Sequence, residues 1–218
     1  MKKQLHHKKR YLLPLRAVAV IGFLLSMVGI MAFGLNKKTE PIAGDTKTKP
    51  LVIKKDSVAS VKAFKQVYTV LMSARCMNCH PSGNIPLQGD ESQLHTMSPQ
   101  RGIDGKGVYA MKCANCHQAT NTPGLHTPPG NPNWHLPPAD MKMVFQGKTP
   151  RQLAKQLINP KQNGNKNMQQ LIEHADDGLV LAGWNPGEGR TLPPMSHAAF
   201  KKAWITWLTT GAYAPKGK

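Results

Sequence analysis

All four cysteines of this 218-residue chain fall in two identically spaced motifs, Cys76-Met77-Asn78-Cys79-His80 and Cys113-Ala114-Asn115-Cys116-His117. Each reads C-x-x-C-H. Two thiols three residues apart lie on one side of a helical turn, where each can add to one vinyl group of a porphyrin as a thioether. The adjacent histidine then offers a ring nitrogen to iron. The pattern points to two covalently bound haem c groups. Cys76, Cys79, Cys113 and Cys116 are the attachment points, and His80 and His117 the proximal iron ligands. Three other chemistries use related spacings. A tetrahedral zinc site would leave both histidines unexplained and would close a long gap between the pairs. A thioredoxin-like pair needs a βαβ context, which the sequence lacks. Cysteines at i and i+3 make poor disulfides. With only 11 Asp and Glu in the chain, clustered-carboxylate mechanisms are weakly supported, and no catalytic residue is assigned.

The sixth iron ligand separates an electron carrier from an enzyme: a filled position moves electrons, and an open one binds or activates a small molecule. The candidates are Met195, His135, Met97 and His95. Met195, in Leu192-Pro193-Pro194-Met195, sits on a Pro-stiffened loop before the last helix, which resembles the place of the axial Met in ordinary small cytochromes c. A Met beside a helix start is also ordinary core packing. His135 lies on a similarly stiff loop, Trp134-His135-Leu136-Pro137-Pro138, where a hydrogen-bonded surface histidine is the plain alternative. Met97 and His95 follow soon after the first motif. Met141 and Met143 read as packing, His126 and His174 are weaker candidates, and His6 and His7 lie on the cytoplasmic side.

The elements that must position these residues read as mainly α. Over residues 57–75, Val58, Val61, Phe64, Tyr68, Leu71 and Met72 recur at three- and four-residue spacing, an amphipathic helix leading into the first motif. Thr149-Pro150 opens a short helix with Leu153 and Leu157 inward and Pro160 beyond its end. Asn167 caps another around Met168, Leu171 and Ile172. Ser196 caps the last, where Phe200, Trp204, Trp207 and Leu208 form one apolar stripe before Gly211. Residues 81–138 carry half of the 18 prolines and no convincing strand period. So long an irregular segment needs something to wrap, and a haem face supplies it. The segment between the motifs, 81–112, is too short for a complete cytochrome domain, so the two haems are expected in one compact unit.

The N-terminus has its own logic. Of the formal charge of +18, +10 lies in residues 1–55, beginning with MKKQLHHKKR. Residues 17–35, AVAVIGFLLSMVGIMAFGL, carry no charge and as a helix would span about 28 Å, close to the hydrocarbon thickness of a bilayer. The basic flank stays inside, which exports the rest. A cleaved signal peptide, with Ala32-Phe33-Gly34 as its cleavage site, is the rival reading, and the length favours a retained anchor. The expected organisation is a flank and anchor over 1–35, a flexible linker over 36–55, and a loop-rich α-helical dihaem cytochrome c domain over 56–218. The anchor would sit in the inner membrane and touch lipid, with the domain in the periplasm. A pI near 10 suggests nucleic acid at first sight, but the charge-rich part is a membrane flank and tether, and the folded part, expected to be exported, keeps the remaining +8.

Beyond the motifs, VYTVLMSARCMNCHPSGNIPLQGD, GVYAMKCANCH, GNPNWHLPPADMKMVFQGKTP and the tail segments LPPMSHAAF and GAYAP resemble small bacterial cytochromes usually described as a subunit of isoquinoline 1-oxidoreductase. The resemblance covers roughly residues 67–215. It implies redox protein partners: a molybdenum hydroxylase as electron donor and the respiratory chain as acceptor. With every Cys used by the haem motifs, this chain has none left for an iron–sulfur centre. The expectation is a membrane-tethered periplasmic dihaem cytochrome that transfers electrons from a dehydrogenase. The alternative is a peroxidase-like haem enzyme with an open coordination site.

Overall fold

Two helices at opposite ends of the sequence form the centre of the fold. The computed structural model describes residues 52–217. Helix α1, Ser57–Leu71, opens on Asp56, whose carboxylate accepts from the Val58 and Ala59 N–H groups and so satisfies two of the helix's orphan donors. The last helix, α6, His197–Thr209, opens on Ser196, whose hydroxyl accepts from Ala199 N. The two pack along their length, with Phe64 and Trp207 rings 4.6 Å apart and both fully buried. Ser60 is buried in the same contact. Its hydroxyl donates to Trp207 O (3.1 Å) and accepts from Tyr213 N (2.9 Å). The expected stripe of Phe200, Trp204, Trp207 and Leu208 is buried throughout. The face of α1 is shifted from the expected one: Ser60, Ala63, Phe64, Val67, Val70 and Leu71 are inward, while Val58 is 78% exposed.

Shorter helices complete the core. After a break at Met72 and Ser73, α2, Ala74–Met77, carries the first cysteine. Helix α3, Pro150–Leu157, has the expected Thr149 cap and Pro at its first position, reinforced by Gln152 in a reciprocal capping box. Leu153 and Ala154 are fully buried on it. Helix α4, Met168–His174, begins at Asn167 with a second capping box through Gln170. Its Leu171 carbonyl accepts from the Trp204 indole (2.7 Å), tying α4 to α6. A short α5, Gly178–Ala182, was not signalled by any periodicity. The described residues are mainly helical with few short strands.

Residues between α2 and α3 are mostly irregular, stiffened by two minimal antiparallel ladders. Strand β1, Leu87–Gln88, pairs with β2, Gln93–Leu94, and β3, Gly107–Val108, with β4, Met111–Lys112. Two-residue strands are too short to leave an alternating pattern. The loops close on one another through glycine. A Cβ on Gly105 would lie 1.9 Å from Leu136 O, and one on Gly130 would lie 2.0 Å from Thr120 O, so neither approach tolerates a side chain. Both C-x-x-C-H motifs fall in one contact unit, Lys49–Lys218. No helix among the described residues is long and apolar enough to cross a membrane. The expected anchor over 17–35 and linker residues 36–51 lie outside the described residues.

Candidate haem-binding motifs

Each motif winds as one tight turn, as the chemistry of the spacing requires. In the first, Met77 N donates to Ser73 O, Cys79 N to Cys76 O and His80 N to Met77 O. In the second, a single 3-10 turn over Cys113–Asn115 is closed by Cys116 N and His117 N, both donating to Cys113 O. All four thiols are free of disulfides.

The two histidines are held in the same way by unrelated pieces of chain. His80 Nδ1–H donates to Met143 O at 2.7 Å, and its ring stacks on Phe145 with centres 3.9 Å apart and planes 9° from parallel. His117 Nδ1–H donates to Pro129 O at 2.7 Å and stacks on Trp134 at 4.0 Å and 6°. Committing Nδ1 to a carbonyl fixes the tautomer and leaves the Nε2 lone pair for a metal. Burial pulls the His80 imidazole down to about 4, so it is neutral at ordinary pH. Burial likewise lowers His117. Burial, with Cys79 alongside, pushes the Cys76 thiol up to about 12, and burial pushes Cys79 up to about 11. These thiols are not poised as thiolate nucleophiles.

A haem would also bring carboxylates, and a buried guanidinium near the first motif, Arg101, has none to pair with among the described residues. Arg101 is only 1% exposed. Its guanidinium donates to Pro137 O (2.5 Å) and Gly83 O (3.2 Å), while its Nε has no partner. The buried Nε of Arg75 and Oδ1 of Asn78 are also unpartnered. Four unpaired thiols, two neutral imidazoles with free Nε2 and a buried guanidinium fit two covalent haems. They do not converge as a tetrahedral site: among the described residues, no three His, Cys, Asp or Glu side chains cluster to hold a bare metal ion.

The four distal candidates are placed differently. His95 is brought to the second motif, its ring centre 6.2 Å from that of His117. Met97 is 78% exposed. His135 donates from Nδ1 to Asn133 O. Met195 packs against the main core, with its carbonyl accepting from the Trp184 indole. His174 lies close enough to His80 to depress it electrostatically, and its own Nδ1 is paired with the Asp177 carboxylate. Sequence reading missed the supporting groups: Phe145, Trp134, Arg101 and the carbonyls of Met143 and Pro129. The aromatics carry a signal in retrospect, since each stands in the irregular segment between α2 and α3, with no helix of its own to bury it. The carbonyls carry none, because any residue supplies one. No family model, curated protein or solved structure matches the chain.

Proposed function

We propose that this protein is a dihaem c-type cytochrome that carries electrons between redox proteins. The observation behind this reading is the duplicated constellation. Two C-x-x-C-H turns each present unpaired thiols and a histidine whose Nδ1 is tied to a backbone carbonyl and whose ring is stacked on an aromatic. Evolution of one such site could serve packing. Two built from different loops argue for a common task. When bound, haem supplies a one-electron iron couple. The chain's part is to hold it: Cys76, Cys79, Cys113 and Cys116 tether the ring, and His80 and His117 bind iron through Nε2. Phe145 and Trp134 keep those imidazoles from rotating. Arg101 offers a positive charge to a propionate.

The proposal extends to a periplasmic domain tethered through residues 17–35. Its donor is a dehydrogenase, of the molybdenum hydroxylase type that the sequence resemblance implies, and its acceptor is the respiratory chain. Expression with a cytochrome c maturation system should give a red protein. Its colour should survive denaturation, and its intact mass should exceed the polypeptide's by two haems. Redox titration should resolve two one-electron couples without turnover of peroxide. A colourless product containing zinc would sink the haem reading. A high-spin haem that binds cyanide readily and consumes peroxide would replace the carrier with an enzyme.

A further inference from the structure

We propose that His95 and His117 are the two axial ligands of one haem iron, the one attached at Cys113 and Cys116. This rests on the dihaem reading and assigns its second iron. The ring centres are 6.2 Å apart, with planes at 66°. Two imidazoles bound through Nε2 to opposite sides of one iron, with metal–nitrogen bonds of about 2.0 Å, have centres roughly 6.3 Å apart. A direct hydrogen bond between the rings would bring the centres to roughly 5 Å. The observed spacing fits one shared metal.

The nitrogen chemistry agrees. His95 Nδ1–H donates to Thr96 O at 2.7 Å, as His117 Nδ1–H does to Pro129 O. In both rings Nε2 is the nitrogen left with a lone pair. The loop carrying His95 is built to hold it. His95 N donates to Pro86 O, and Ser98 N closes back on His95 O. The Thr96 amide and hydroxyl both donate to Gln88 Oε1. Met97 and Ser98 then stand at φ 64° and 49°, a left-handed pair without glycine, which curls the chain sharply after His95. Strain of this kind persists where the surroundings over-determine it, commonly at ligand clamps.

The assignment also explains the short spacing between the motifs. Leu87 N donates to Asn78 O, so the β1–β2 ladder grows directly out of the first motif. Its far end carries the ligand for the second, which is incomplete without it. Among the described residues His135 makes no ring contact with His80 or His117, and Met97 points to solvent.

The test uses the mature holoprotein. Near-infrared magnetic circular dichroism of the oxidised wild type should show a bis-imidazole iron; absence of that band overturns the pairing. In His95→Ala, one of the two haems should turn high-spin and bind carbon monoxide, and added imidazole should restore its low-spin spectrum. In His95→Met, one couple should move to higher potential while the other stays in place. His135→Ala should leave the spectrum unchanged. The pyridine haemochrome counts haem separately. A wild type without covalent haem refutes the dihaem reading itself. Two low-spin haems retained in His95→Ala refute only the pairing.

Discussion

Arg101 is a buried arginine that ties several loops together. Its backbone N–H donates to Asn84 O, its carbonyl accepts from Gly107 N, and its guanidinium reaches Pro137 and Gly83. One side chain thus joins the loop after His80 to the loop after His117. Burial pulls its pKa below the usual guanidinium range, so the charge is held at a cost. Arg101→Ala should lower stability by about 2–4 kcal/mol, since it opens a cavity and strips two carbonyls of donors. Arg101→Lys should recover only part of this, because an ammonium cannot span both carbonyls with the fixed geometry of a guanidinium. Thermal unfolding of the holoprotein checks both; a Lys variant as stable as wild type would show that charge alone matters. At this scale the sequence was legible only in part. Cys76, Cys79, His80 and their counterparts are read from spacing. Arg101 looks like any other arginine, because its burial comes from loops that meet only in three dimensions.

Among the elements, the α1–α6 pair sets the frame. The caps at Thr149, Asn167 and Ser196 were readable because capping is local chemistry, settled within four residues. The face of α1 was misjudged for an equally physical reason. Large apolar residues mark a helix face in sequence, yet α1 meets the tryptophans of α6 partly through small residues, Ser60 and Ala63. Bulk on one helix requires its absence on the other. Val58 sits in the first turn and stays exposed. Ser60→Ala should therefore cost about 1–3 kcal/mol, because it removes the acceptor for the Tyr213 N–H and the donor to Trp207 O. Val58→Ala should lie within about 0.5 kcal/mol of wild type, as surface substitutions do. Denaturant midpoints of the two variants test the reassigned face directly; equal losses would restore the face read from hydropathy.

Across the whole molecule, long-range polar links hold the irregular half where regular structure is scarce. Asp90 pairs with Arg75 at 2.5 Å and accepts from the Thr191 hydroxyl and amide, joining the first motif's hairpin to the segment before α6. The Thr191 hydroxyl, helped by the Thr191 amide and Arg75 and opposed by burial, holds the Asp90 carboxyl below its usual range. A carboxyl lowered on folding contributes stability that is full above its unfolded pKa of about 3.9 and is lost as pH falls through the folded value. Stability should thus decline in acid, and Asp90→Asn should flatten that limb while lowering stability at neutral pH. The effect is modest, since the side chain is 33% exposed. Thermal midpoints between about pH 6 and 3 measure it, and an unchanged acid limb in the variant would assign the loss to other groups. None of these links is visible in sequence: Asp90 and Thr191 are 101 residues apart.

The closure over His80 has a consequence for biogenesis. Phe145 N and Gln146 N both donate to His80 O, Met143 O accepts from the imidazole Nδ1–H, and Phe145 lies flat against the ring. Once that clasp forms, the Cys76 and Cys79 thiols, each only partly exposed, are held protonated. On the proposed reading, thioether formation is favoured ahead of tertiary structure, while segment 143–146 is still undocked. Folding speed and attachment speed then compete, and a variant that hastened closure would lower the yield of mature protein although it strengthened the final fold.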